Sequence, residues 1–251
     1  MPDSPTRLLI LGGTTEATAL ARQLAGDGAF ATTLSLAGRT SAPMASPVPT
    51  RTGGFGGADG LARYLAEERI DRLIDATHPF AARISANAAI AARQARVPLL
   101  AIRRPPWVAG EGDRWTEVAD MAGAVAALGP EPRTVFLTIG RQEVAAFAVA
   151  PQHSYVVRTI EPVGDALPVP HLRTIAARGP FDAEAEAALM REAGIAVVVS
   201  KNAGGAATRG KLLAARRLRL PVVMVRRPDK PDVDSVSDAA GALAWLRKSR
   251  C

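Results

Sequence analysis

The stretch Leu8-Leu9-Ile10-Leu11-Gly12-Gly13-Thr14-Thr15-Glu16-Ala17 runs from apolar residues through two glycines into polar ones, after which Ala17, Leu20, Ala21 and Leu24 recur at helical spacing. That order reads as strand, tight turn and helix. It approximates the dinucleotide-binding fingerprint, with Gly12 at the first glycine position, Ala17 at the third, and Thr14 where the second glycine is expected. Glycine suits this chemistry because backbone N–H groups must approach a pyrophosphate at a helix N-terminus, where the macrodipole favours anions. Thr14 and Thr15 could add hydroxyl donors. Gly12, Gly13, Thr14, Thr15 and Glu16 are therefore candidate cofactor-binding residues, against the competing reading of a structural turn with a threonine cap.

A second β-type run over 31–36 leads into Ala37-Gly38-Arg39-Thr40, with no Asp or Glu to hold the ribose hydroxyls of NAD. A guanidinium forks well onto phosphate, so Gly38, Arg39 and Thr40 read as a receptor for the 2′-phosphate of NADPH. Further on, Asp75-Ala76-Thr77-His78-Pro79-Phe80 follows the short strand 73–75 and puts Thr77 and His78 at the sheet edge where ligands collect. Thr77 is a candidate cofactor contact. His78 is the candidate catalytic residue, as proton donor or as a group orienting cofactor or substrate; helix capping is the alternative.

Strand-like runs at 99–102, 134–138, 155–158, 197–200 and 222–225 alternate with helical stretches at 59–68, 81–96, 116–128, 182–193, 212–218 and 239–247. This alternation predicts an α/β fold of two Rossmann-like domains, each a parallel sheet flanked by helices. Arg104-Pro105-Pro106-Trp107 breaks regular structure, which places an NADPH-binding domain over 1–106 and a second α/β domain, contributing to the substrate cleft, over 107–251. In the second half Ser200-Lys201-Asn202-Ala203-Gly204-Gly205, continuing to Arg209-Gly210-Lys211, again links strand to helix. Glycines free backbone N–H groups there while lysines supply charge, an anion cradle without Walker spacing.

Composition narrows the function classes. The chain has 251 residues, 48% hydrophobic and 4% aromatic, which suits aliphatic helix-on-sheet packing. Its one cysteine, Cys251, supports no intramolecular disulfide or cysteine-rich metal site, and no metal centre is expected. With neither a basic leader nor a long apolar run, the expectation is a cytoplasmic protein that meets no membrane. Net charge is +7, and 201–230 holds nine basic residues against Asp229 alone. Aromatic residues do not interleave with that run, which disfavours nucleic acid; a polyanionic small molecule as partner and a merely solvated helix face are the readings left open.

Taken together, Ile10–Glu16, Gly38-Arg39-Thr40, Asp75-Ala76-Thr77-His78-Pro79-Phe80-Ala81, Arg104-Pro105, and Ser200-Lys201 with Gly204-Gly205 and Lys211 resemble the precorrin-6A reductase family over nearly the whole chain. The Asp75–Ala81 segment is the most specific part. The resemblance implies NADPH reduction of one double bond in the precorrin-6A macrocycle, giving precorrin-6B in cobalamin biosynthesis. It also implies substrate contacts from Arg104, Ser200, Lys201, Asn202, Gly204, Gly205 and Lys211, and a monomer or weak homo-oligomer. The family often carries Arg where Ala101 stands, with Arg103 as the nearby substitute. Alternatives are another NADPH-linked reductase of a polyanionic molecule, or a non-catalytic NADPH-binding sensor. A short-chain-type dehydrogenase is disfavoured: Glu68 and Thr159 stand where a Tyr-x-x-x-Lys pair would need lysine after Tyr64 and Tyr155.

Overall fold

The computed structural model describes residues 4–38 and 45–248; Arg39 and Thr40, expected at the 2′-phosphate, and Cys251 lie outside the described residues. The chain divides into two compact units, one ending at Pro105 and resuming at Pro228, the other spanning Pro106–Arg227. In chain order the first unit contains β1 (Thr6–Leu11), α1 (Thr15–Leu24), β2 (Phe30–Leu36), β3 (Thr50–Thr52), α2 (Gly57–Glu67), β4 (Arg72–Asp75), α3 (Ala82–Ala95) and β5 (Leu99–Ile102). The second contains β6 (Trp115–Val118), α4 (Met121–Ala126), β7 (Thr134–Thr138), β8 (Ser154–Thr159), β9 (Leu172–Ala176), α5 (Ala183–Glu192), β10 (Val197–Lys201), α6 (Gly210–Arg217) and β11 (Val222–Val225). The chain then returns to the first unit with β12 (Ser235–Val236) and α7 (Ala239–Lys248).

Both sheets are six-stranded, and every pairing described is parallel: β12-β5-β4-β1-β2-β3 in the first unit and β6-β11-β10-β7-β8-β9 in the second. A sheet covered on both faces needs apolar side chains on both, which is why Leu8–Leu11 form an unbroken buried run. Leu8 and Ile10 pack with Leu20 and Leu24 of α1 and Leu246 of α7. Leu9 and Leu11 face Leu61 and Leu65 of α2 and Ala88 of α3 on the other side. In the second unit Phe136, Val156, Val198 and Met224 pack against Met190 of α5 and Leu212 of α6.

Two expectations change. The reading of 107–251 as one domain fails to place β12, which pairs with β5 through Ser235↔Ala101 and Val236↔Ile102, and α7, whose Ala239, Ala242 and Leu246 enter the first unit's core. Apolar periodicity marks a helix but not the sheet that receives it. The helix expected over 116–128 is instead β6 followed by α4, because Trp115–Val118 extends beside β11 and Asp120 then caps α4 by accepting from Gly123 N at 2.8 Å. Among the described residues no helix is long and apolar enough to cross a membrane.

Candidate functional site

In the first unit β1 and β4 are neighbours where the strand order reverses, the position at which open parallel sheets bind ligands beyond their carboxyl ends. The turn after β1 favours glycine at both positions, for different reasons. A Cβ on Gly12 would stand 2.7 Å from Leu34 Cδ1 of β2, and Gly13 has φ +111°, a conformation side chains rarely adopt. Thr14 caps α1, accepting from Ala17 N at 3.2 Å, and donates through the same hydroxyl to the Ala76 carbonyl at 2.8 Å. Its hydroxyl thus ties the two loops together. The N–H groups of Gly13, Thr14 and Thr15 head α1 without a helical acceptor, the arrangement in which helix N-termini offer donors to anions.

Glu16 and Arg104 meet one another: Arg104 Nη1 lies 3.1 Å and 2.9 Å from the two carboxylate oxygens, and Thr15 donates to Glu16 Oε2 at 3.1 Å. Burial alone would raise the Glu16 carboxyl. Its own backbone N–H, the Arg104 charge and hydrogen bond, and the Thr15 hydroxyl outweigh burial and hold it below the ordinary value. The sequence reading put these two residues on cofactor and substrate separately; the geometry makes them an ion pair beside the first turn of α1.

Beyond β4, Asp75 Oδ1 accepts from Thr77 N at 3.1 Å and Thr77 Oγ1 at 2.6 Å, and Arg103 Nη2 lies 2.9 Å from Asp75 Oδ2. Burial pushes this carboxyl upward, yet the charges of Arg103 and Lys230 and the hydroxyls of Ser85 and Thr77 hold it below its usual value. Arg103 is therefore committed to Asp75. His78 Nδ1 accepts from Phe80 N at 3.2 Å, so the neutral ring carries its proton on Nε2. Lys230 donates to Thr77 Oγ1 at 3.2 Å and to the His78 carbonyl at 3.0 Å. Sequence reasoning missed Lys230 as a site residue, because only the return of the chain to the first unit brings it there.

The second unit has its own reversal point, between β7 and β10. Here Lys201 Nζ meets Glu143 Oε1 at 2.8 Å, and Thr138 donates to the Val199 carbonyl at 2.9 Å. Glu143 was not singled out from sequence, although it follows Gly140 in a strand–glycine–loop pattern like the others. Asn202 uses its whole amide on the Trp107 backbone, accepting from N at 2.8 Å and donating to O at 2.9 Å, while Trp107 Nε1 donates to the Gly205 carbonyl at 2.9 Å. Gly204 and Gly205 take φ +68° and +81°. Arg227 holds the same loop through the carbonyls of Asn202 and Ala203 at 2.8 Å and 3.1 Å.

Ser200 and Lys211 are buried. Ser200 Oγ donates to the Lys201 carbonyl, and Lys211 Nζ donates to the Thr208 carbonyl at 3.1 Å beneath the Trp107 ring. Burial, with the neighbouring Arg158 charge, brings Lys211 down to about 7. The basic run of the sequence is not one patch: Arg216 pairs with Asp113, Arg217 with Glu184, Lys201 with Glu143, and Lys230 belongs to the first unit.

With this geometry in hand, comparison with known proteins gives consistent matches. The family described as Precorrin-6x reductase CbiJ/CobK matches residues 7–247. A Sinorhizobium protein named Precorrin-6A reductase is 56% identical, covering 96% of this chain and 94% of its own. One of the same name from Rhodobacter capsulatus is 52% identical, covering 96% of each. A solved structure, CobK precorrin-6A reductase, superimposes with a TM-score of 0.92 at 51% identity, covering 97% of this chain and 96% of that one.

Proposed function

The chain belongs to the precorrin-6x reductase family, and from that membership we propose that it reduces one double bond of precorrin-6A to give precorrin-6B, using NADPH. The observation that carries the cofactor assignment is the joined β1 and β4 edge: a tight turn with Gly12 against Leu34 and Gly13 at positive φ, a capped helix N-terminus, and the Thr14 to Ala76 hydrogen bond. These residues fit a dinucleotide pyrophosphate. The absence of any acidic residue over 37–40, together with Arg39, supports NADPH over NADH.

When bound, the nicotinamide supplies the hydride. The chain's own residues do the rest. Gly13, Thr14 and Thr15 present backbone donors to the pyrophosphate, while Arg104 neutralises Glu16 beside that anion site. Thr77 and His78 stand at the sheet edge, with the His78 proton on Nε2, where it orients the reacting pair or protonates the reduced carbon. In the second unit the loop after β10 receives acetate and propionate carboxylates of the macrocycle. Lys201 is the cation and Gly204 and Gly205 the backbone donors of that receptor; Asn202, Ser200 and Lys211 hold the loop in shape.

Anaerobic incubation with precorrin-6A and NADPH tests this reading. Loss of nicotinamide absorbance in step with a change in the tetrapyrrole spectrum is expected; an unchanged tetrapyrrole with either nicotinamide would remove it.

A further inference from the structure

A second cation stands on the cofactor side of the first sheet, at a place the sequence did not mark. The register aligns Asp75, Leu11, Ser35 and Arg51 in one row across β4, β1, β2 and β3. Arg51 is therefore level with the last residue before the glycine turn, two strand spacings or roughly 10 Å away along the row. The adenosine half of a dinucleotide extends in that direction, past the end of the second strand.

The Arg51 guanidinium is fixed. It lies 3.8 Å from the Phe55 ring centroid and 5.1 Å from that of Tyr64. One nitrogen donates to Ser35 Oγ at 2.9 Å and the Gly53 carbonyl at 3.1 Å, the other to the Gly54 carbonyl at 3.0 Å. All three acceptors are neutral. Arg103, Arg104, Arg158 and Arg216 each have a carboxylate partner, whereas among the described residues none lies within ion-pair distance of Arg51. Nor can the segment 39–44 supply one, since it contains no Asp or Glu. The result is a half-buried, pre-oriented positive charge with N–H groups to spare, stacked on an aromatic ring, at the mouth of a dinucleotide site.

We propose that Arg51, laid on Phe55 at the carboxyl end of β3, is a receptor for the adenosine 2′-phosphate, and so a determinant of NADPH selectivity. This rests on the NADPH reading above. Three neutral hydrogen bonds and a stacked ring fix where the guanidinium points, and an anion of two negative charges supplies the partner that its surroundings lack.

The test is calorimetric titration of the full chain with adenosine 2′,5′-bisphosphate and with adenosine 5′-monophosphate, for the parent, Arg51→Ala and Arg51→Lys. The parent should prefer the bisphosphate by about tenfold or more, and Arg51→Ala should lower that preference by about ten- to a hundredfold with the monophosphate affinity unchanged. Arg51→Lys keeps the charge and loses the fork, so roughly a three- to tenfold loss is expected, and it decides the matter should the alanine variant not fold. A preference retained in the folded variants, or equal weakening of both nucleotides, overturns the role of Arg51. A parent without any preference instead overturns the NADPH reading, and does so before any substitution is made.

Discussion

The imidazole of His78 accepts the Phe80 N–H at Nδ1, which puts the proton of the neutral ring on Nε2. Asparagine can offer Oδ1 to the same N–H in an Asx-type turn but carries nothing in place of Nε2–H. His78→Asn should therefore keep the loop and lose the proton, lowering kcat about a hundredfold. Wild-type rates across the pH range would end both the orienting and the proton-donating roles. Lys211 permits a second test at this scale. Arg158 on β8, Glu186 on α5 and Lys201 on β10 surround it, and burial depresses its folded value from 10.5 to about 7. Between those pH values the unfolded chain binds a proton that the folded one does not, so stability rises as pH increases from about 7 to 10.5 and is lost as pH falls back through that window. The slope attributable to Lys211 is at most about 1.4 kcal/mol per pH unit. Chemical denaturation of Lys211→Met should lack this slope; an identical pH profile in parent and variant would mean that the amine is not buried as described.

At the level of elements, the loop between β10 and α6 is shaped by contacts that converge from far along the chain. Asn202→Ala leaves the Trp107 N–H and carbonyl without their partners, a loss of about 2–5 kcal/mol by denaturant titration. The KM for the tetrapyrrole should rise while NADPH binding stays near the parent value; weakened NADPH binding with an unchanged tetrapyrrole KM would reassign the loop. The same element shows what a sequence can reveal. Glycine turns after β1 and β10 are local patterns and were legible, as was the helical spacing of Ala17, Leu20, Ala21 and Leu24. Whether Asn202 faces a ligand or a backbone depends on Trp107, 95 residues away, and no local pattern carries that information. Short strands were lost for a related reason: β3 and β12 have three and two residues, too few for a period-two signal.

For the whole molecule, the two sheets share one order. Reading outward from β1 and from β7 gives 3-2-1-4-5 in each, and the sixth strand is exchanged: β6, after β5 in the chain, lies beside β11, while β12, after β11, lies beside β5. The first unit is consequently incomplete without the segment that follows Arg227. Removing residues 228–251 would take Ala242 and Leu246 from its core, strip β5 of its outer neighbour and remove Lys230 from beside Thr77 and His78. The loss should be several kcal/mol, comparable with the whole stability of a typical domain. Circular dichroism and NADPH titration of a chain ending at Arg227 should report an unfolded first unit without cofactor binding; an unchanged melting curve would contradict the shared-strand architecture. The measurement that bears most directly on the central claim is isotope transfer, with NADPH deuterated at the reactive C4 position and precorrin-6A incubated anaerobically with the protein. One deuterium in the product and one equivalent of cofactor oxidised for each macrocycle reduced are expected. Reduced macrocycle without deuterium from either C4 epimer of the labelled cofactor, or cofactor oxidation without macrocycle reduction, would contradict that claim.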